Sequence, residues 1–109
     1  MEDNKAQDLA PIEINLKPET IDEGYLRMLG FQIEAILKMM FGGSFVPTSI
    51  RGTKEQVSHF ARALGNERRY LRAFEKHGLT DKRTLNNRHK LEKAIAGFEK
   101  STGIKWPFK

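Results

Sequence analysis

Residues 25–41 read YLRMLGFQIEAILKMMF, and this stretch decides the fold. Its charged residues, Arg27, Glu34 and Lys38, are seven and four residues apart, so they fall close to one line on a helix. The remaining surface is apolar over more than the usual stripe, which is typical of a helix buried on most sides. The sequence therefore predicts a long central helix that the rest of the chain covers.

The ends of this helix carry recognisable signals. Thr20 and Glu23 form a capping-box pattern, and Pro18 is also compatible with a start one turn earlier. The pair Gly42-Gly43 predicts the end. The apolar residues Phe31, Met39, Met40 and Phe41 exceed what two further amphipathic helices would cover. This surplus predicts cover by the N-terminal arm or a homodimer.

Two further helices follow from apolar residues spaced three, four and seven apart. The second runs from about Lys54 to His77, with Gly78 as its stop. The third is predicted to have Thr80 as its cap and to end at Gly103. We expect Trp106 to seal one end of the core. The apolar positions are Val57, Phe60, Ala61, Leu64, Leu71 and Phe74 in the second helix, and Leu91, Ala94, Ile95 and Phe98 in the third.

The predicted fold class is all-α, a three-helix bundle. It consists of the long apolar central helix and an antiparallel basic helical hairpin, because helices joined by so short a turn are antiparallel neighbours. An extended N-terminal arm is predicted over residues 1–17 and a single helical domain over residues 18–109. Residues 44–52 are interpreted as a loop pinned to the core by Phe45, Val46 and Ile50.

Residues 11–16 alternate apolar and polar side chains, which indicates a short strand. A single strand is not stable alone, so it must pair with another subunit or lie extended across the helices. The strand followed by Pro18-Glu19-Thr20 resembles the opening of the ribbon-helix-helix repressors, which implies strand pairing in a dimer. The first helix of that family is short, whereas here it exceeds twenty residues. The sequence favours an extended arm packing Ile12, Ile14 and Leu16 on the core.

The charge is divided unevenly along the chain. Residues 1–50 hold four Lys/Arg against eight Asp/Glu, and residues 51–109 hold fifteen against six. A basic half attracts polyanions, of which nucleic acid is the commonest. There is no cysteine, which excludes disulfides and thiolate chemistry. The acidic start and the absence of an eighteen-residue apolar run predict a cytoplasmic protein without a membrane segment.

Part of the second helix resembles the helix-turn-helix DNA-binding family in the spacing of its small and apolar residues. The resemblance implies a turn at Gly65, a recognition helix over residues 66–75, and Arg68, Arg69 and Arg72 facing DNA. Asn66 occupies a position where that family has an apolar residue. An unbroken helix through Gly65 satisfies the same periodicity, and the sequence favours it. The residues that carry the resemblance are Phe60-Ala61, Leu64-Gly65, Leu71 and Phe74.

The basic faces of the second and third helices are the candidate nucleic-acid site, through phosphate contacts without sequence preference. The competing interpretation is an ordinary solvated face, and the competing function is a protein-interaction or homodimerisation module built on the first helix. The candidate nucleic-acid-binding residues are Arg62, Arg68, Arg69, Arg72, Lys76, Arg83, Lys90 and Lys93.

A second, weaker anion site is predicted at Arg51, Gly52, Thr53 and Lys54, where a helix begins. Capping by Thr53 with Gln56 explains the same residues without a ligand, and it is the favoured interpretation. The three histidines lack metal-ligand spacing, and no nucleophile has an evident base. We expect no metal, no cofactor and no small-molecule substrate, and therefore a non-enzymatic protein.

Overall fold

The computed structural model describes residues 11–43 and 47–108, and within these residues the chain forms a small helical bundle with a short two-stranded sheet. The predicted bundle of three helices is confirmed. In chain order the elements are β1 (Ile12–Asn15), α1 (Glu23–Gly42), β2 (Thr48–Arg51), α2 (Lys54–His77) and α3 (Lys82–Thr102).

The two strands pair in parallel, with Ile12 opposite Thr48 and Asn15 opposite Arg51. The interpretation of residues 48–51 as loop is therefore wrong, and Phe45 and Val46 of that segment lie outside the described residues. β1 takes its partner from its own chain, unlike the arrangement in ribbon-helix-helix dimers. Parallel strands need a long crossover, and α1 provides it.

The predicted packing of the extended segment on the core is confirmed for Ile14 and Leu16, which are both buried. Ile12 is half-buried against the same core. The hydrogen bonding continues beyond the strands: the Leu16 amide donates to the Arg51 carbonyl at a distance of 2.7 Å. Residues 1–10 of the predicted arm lie outside the described residues.

α1 begins later than predicted. The Asp22 carboxylate accepts a hydrogen bond from the Tyr25 amide at 2.8 Å, so Asp22 is the N-cap and the predicted cap at Thr20 is wrong. The chain is not yet helical before this point, where the Asn15 side chain accepts the Lys17 amide. Gly43 ends α1 with φ of +74°, which confirms the predicted Gly42-Gly43 stop.

α1 is buried on one side rather than on most sides, which corrects the first expectation. Its buried residues are Leu29, Ile33, Ile36 and Leu37. The opposite side carries exposed apolar residues, with Phe31 65% and Met28 50% accessible.

Polar contacts attach α1 to β1. The Tyr25 hydroxyl donates to the Asn15 carbonyl, and Gln32 Nε2 donates to the Glu13 carbonyl at a distance of 2.7 Å. Both contacts satisfy backbone carbonyls of β1. α1 also approaches the C-terminal segment, because a methyl group added at Gly30 would lie 3.5 Å from the Pro107 side chain.

α2 is one continuous helix through Gly65, so the favoured unbroken helix is confirmed and the helix-turn-helix alternative is wrong. Its capping box is formed as predicted. The Gln56 amide donates to Thr53 Oγ1 at 3.1 Å, and the Thr53 amide donates to Gln56 Oε1 at 2.9 Å. α3 is capped by Asp81, one residue after the predicted Thr80. Gly78 and Gly103 have positive φ and end the two helices as predicted.

The centre of the hairpin is an aromatic cluster, defined as Phe60, Phe98 and Trp106. The Phe98 and Trp106 ring centroids are 5.3 Å apart with an edge-to-face orientation, and Phe60 lies 5.9 Å from Phe98. Trp106 is 2% accessible, so the expectation that it seals the core is confirmed. Its indole Nε1 donates a hydrogen bond to Glu67 Oε1 at a distance of 2.8 Å.

Glu67 is a carboxylate in the core, with 5% of its surface accessible. Burial raises the pKa of this carboxyl above its ordinary 4.5, and the hydrogen bond from Trp106 partly opposes the shift. Because the folded pKa exceeds the unfolded one, the contribution of this carboxyl to stability is complete below pH 4.5 and is lost as pH rises through the folded pKa. Glu67 thus stabilises the fold as the hydrogen-bond acceptor of Trp106, whereas its charge, when ionised, destabilises the fold because it is buried.

We predict that Glu67→Ala lowers the free energy of unfolding by about 1 to 3 kcal/mol, because it leaves the buried indole N–H without an acceptor. Glu67→Gln keeps an acceptor and removes the charge, so it should preserve stability at pH 7 and abolish the carboxyl's pH dependence. Urea unfolding monitored by Trp106, the single tryptophan, measures both variants. Equal losses in the two variants would contradict the role of the hydrogen bond.

Candidate nucleic-acid interface

α2 and α3 run antiparallel and approach closely at two levels. Near their connection, Thr84 Oγ1 donates to the Ala73 carbonyl at 3.1 Å. Near the other end, a methyl group added at Gly97 would lie 3.0 Å from Nδ1 of His59. The absence of a side chain at position 97 therefore lets the His59 ring lie against α3.

Between these levels the two helices form a groove of about 270 Å³. Arg62 contributes from α2, and Lys90 and Lys93 contribute from α3. The structure thus brings together three of the predicted residues. We call this surface the basic groove, and its lining consists of His59, Arg62, Asn66, Lys90, Lys93, Ala94 and Gly97.

The basic groove has uncompensated charge. Its lining contains no carboxylate. Among the described residues, no Asp or Glu lies within 4 Å of the cationic nitrogens of Arg62, Lys90 or Lys93. These three side chains are exposed, so they are free to approach a ligand. Like charges that line one groove repel each other, and a bound anion relieves that repulsion.

The other predicted cations of α2 lie outside this lining. Arg69 is exposed and two turns from Arg62, so the two arginines share a face about 10 Å apart. Arg72 and Lys76 are also exposed, but they line a separate surface depression together with Glu75. Their positive charge is therefore partly balanced by a neighbouring carboxylate.

Arg68 differs from its neighbours because it is half-buried. Its Nε is shielded from solvent and has no hydrogen-bond partner within the described part of the chain. A helix turns 100° per residue, so Arg68 points away from the direction of Arg69. The structure therefore does not place Arg68 in the basic groove.

Arg83 is engaged with Asp81 at the start of α3. Its Nε lies 3.1 Å from Asp81 Oδ1, and Nη2 lies 3.2 Å from Oδ2. These hydrogen bonds, with that from the Arg83 amide, lower the pKa of Asp81 from 3.8 to about 2. The charge of Arg83 is thus already neutralised, unlike the charges in the basic groove.

The weaker anion site at residues 51–54 is a corner between β2 and α2. The amides of Thr53 and Gln56 are occupied by the capping box. A methyl group added at Gly52 would lie 3.1 Å from both Leu16 Cβ and Gln56 Oε1. Close packing by Leu16 and capping by Thr53 therefore account for these residues.

Other site types find little support in the described residues. Residues 11–43 and 47–108 contain no group of three histidine, aspartate or glutamate side chains arranged to hold a metal ion. Over the same ranges, no helix combines the length and apolar character that crossing a bilayer requires. Comparisons of the chain with protein-family models, curated proteins and solved structures found no match.

Sequence reasoning missed His59, Asn66 and Gly97 as parts of the groove. Asn66 Nδ2 donates to the Arg62 carbonyl at a distance of 2.8 Å, which places the side-chain amide of Asn66 beside Arg62. Gly97 follows Lys93 by four residues and Lys90 by seven, so the pattern placed all three on one helical face. A glycine on a basic face within a helix was the available signal for close approach by another helix.

We predict that the Asp81 carboxyl titrates near pH 2, and that Arg83→Gln moves the titration part of the way toward 3.8, because the arginine's side-chain hydrogen bonds and charge are removed while the backbone amide of residue 83 still donates. The folded pKa is depressed, so this pair's contribution to stability is complete above pH 3.8 and disappears as pH falls through about 2. Carbon-detected NMR of the carboxyl resonance measures the shift. An unchanged titration in Arg83→Gln would contradict the assignment.

Proposed function

We propose that this protein binds nucleic acid through the phosphate backbone, with the basic groove between α2 and α3 as the contact surface. The observation that carries the proposal is the convergence of Arg62, Lys90 and Lys93 around a groove without a carboxylate. Arginine and lysine donors suit phosphate oxygens, and their contacts release counterions from the nucleic acid.

The surface extends beyond the groove along one face of the hairpin. Arg69 continues the line of Arg62 along α2, which supports contact with successive phosphates rather than with one anion. The net charge of residues 51–109 is +9, and this field would attract a polyanion before contact is made. Arg72 and Lys76 contribute to the field from their separate depression.

The proposal is for binding without sequence preference and without catalysis. Phosphate contacts position a protein on nucleic acid but carry no base information. The groove lining holds no hydroxyl, thiol or carboxylate side chain to act as a nucleophile or to orient the His59 imidazole. A cytoplasmic location, where RNA is abundant, is part of the same proposal.

The test is fluorescence anisotropy with labelled random duplex and single-stranded DNA over a range of salt concentrations. We expect affinity to fall steeply with salt. In the combined variant Arg62→Gln, Lys90→Gln, Lys93→Gln, the slope of log K against log salt should become shallower by about 3, or about one per lost phosphate contact.

A charge-matched control separates the groove from general electrostatics. Lys17→Gln, Arg88→Gln and Lys105→Gln remove the same total charge from exposed positions outside the groove. This control should keep a slope close to that of the original protein. Equal effects of the two triple variants would contradict the groove as the site, and no binding at low salt would contradict the function itself.

A further inference from the structure

α1 has a second apolar face, and its large side chains Met28 and Phe31 are exposed in the described structure. We call it the outer stripe, defined as Gly24, Met28, Phe31, Ala35 and Met39. These residues are three or four apart, so they lie on one side of the helix, away from the buried Leu29, Ile33 and Leu37. Phe31 and Met28 are the exposed members with large side chains, whereas Met39, at the end of the stripe, is half-buried against the core.

An apolar stripe on both sides of one helix is typical of a helix with a partner on each side. The inner side packs on the sheet and the hairpin. The outer stripe exposes a phenylalanine and a methionine next to each other, one turn apart, which is typical of an interaction surface rather than of scattered surface residues.

The charged residues beside the outer stripe indicate what kind of partner would pack on it. Glu23, Arg27, Glu34 and Lys38 lie along one edge of the stripe, because they are four, seven and four residues apart. Their signs alternate along the helix axis. Within the chain, Glu34 and Lys38 already approach to 3.8 Å.

This order of charges is self-complementary in one orientation. With an antiparallel copy related by a twofold axis between Gly30 and Phe31, Arg27 lies opposite the partner's Glu34, and Glu23 lies opposite the partner's Lys38. Both contacts occur twice because of the symmetry. In a parallel twofold pair, the charged edge would instead face the other edge of the partner's stripe, so these charges would not pair with each other.

The most exposed side chain of the stripe fits the same register. Phe31 lies next to this axis, so the Phe31 side chains of the two copies meet at the centre of the contact.

We propose that a second copy of this chain packs antiparallel on the outer stripe of α1 and forms a twofold homodimer. No residue that lines the basic groove belongs to α1, so both grooves stay open in the dimer. A contact made by one helix per subunit is smaller than the ~1,600 Å² of a standard interface. Association should therefore be concentration-dependent, with a Kd on the order of micromolar.

Sedimentation equilibrium of the full chain tests the proposal. We expect a dimer at high concentration that dissociates on dilution. Phe31→Glu should weaken association by more than roughly 100-fold, because it places two charges at the centre of the apolar contact. Leu85→Glu, a comparably exposed apolar position on α3, is the matched control and should not weaken it.

The orientation is tested by exchanging charges. Arg27→Glu and Glu34→Arg should each weaken self-association by roughly 10-fold, because each puts like charges opposite each other twice. A mixture of the two variants should associate as tightly as the original protein, since every contact in the mixed dimer is again between opposite charges. Lys17→Glu changes the net charge equally with Arg27→Glu, away from α1, and should have no effect.

Several outcomes would overturn the proposal. A chain that remains monomeric up to millimolar concentration overturns the dimer, and so does dimerisation that appears only after residues 1–10 are deleted, since the chain's own terminus would then cover the face. Single charge variants that associate as well as the original protein overturn the antiparallel register. Circular dichroism of every variant confirms that the helices are retained.

Discussion

Trp106 is the contact on which the arrangement of the other elements depends. Its ring packs on Phe98 and Phe60 from the two hairpin helices, and its N–H is bound by the buried Glu67. The next residue, Pro107, lies against Gly30 of α1. The C-terminal segment therefore joins α1 to the hairpin. Because the indole satisfies a buried carboxylate while filling the core, no simple apolar residue could replace it.

Each hairpin helix has one apolar side that is buried in the core and one basic side that is exposed to solvent. The side of α2 that contains Phe60 and Leu64 faces the core, and the side that contains Arg62 borders the groove. α3 is divided in the same way, with Phe98 inside and Lys93 outside. α1 differs because two of its sides are apolar, and within residues 11–43 and 47–108 only one of them is buried. A basic face and an apolar face thus lie on different elements, so binding at one need not obstruct the other.

Apolar spacing and glycine stops predicted the helices well, because both signals act within a few residues. The N-caps were predicted less well, since Asp22 and Asp81 cap α1 and α3 in place of Thr20 and Thr80. β2 was missed because four residues after Pro47 carry little pattern, and a parallel partner lies far away in sequence. The burial of Glu67 was not predicted, although this residue falls between Leu64 and Leu71 on the apolar stripe, a position that indicates burial. Predicting the groove would have required knowing how α2 and α3 align along their length. Among the sequence signals, only Gly97 indicated where the two helices approach closely.

The parallel pairing of β1 with β2 has a consequence for the order in which the molecule assembles. The hairpin contacts join residues close in sequence, from Ala73 with Thr84 outward, so they form at low entropic cost. The strand ladder instead closes the long segment that contains α1. The hairpin with its aromatic cluster can therefore form a cooperative unit first, and the β1–α1–β2 unit joins it later and opens from it more readily.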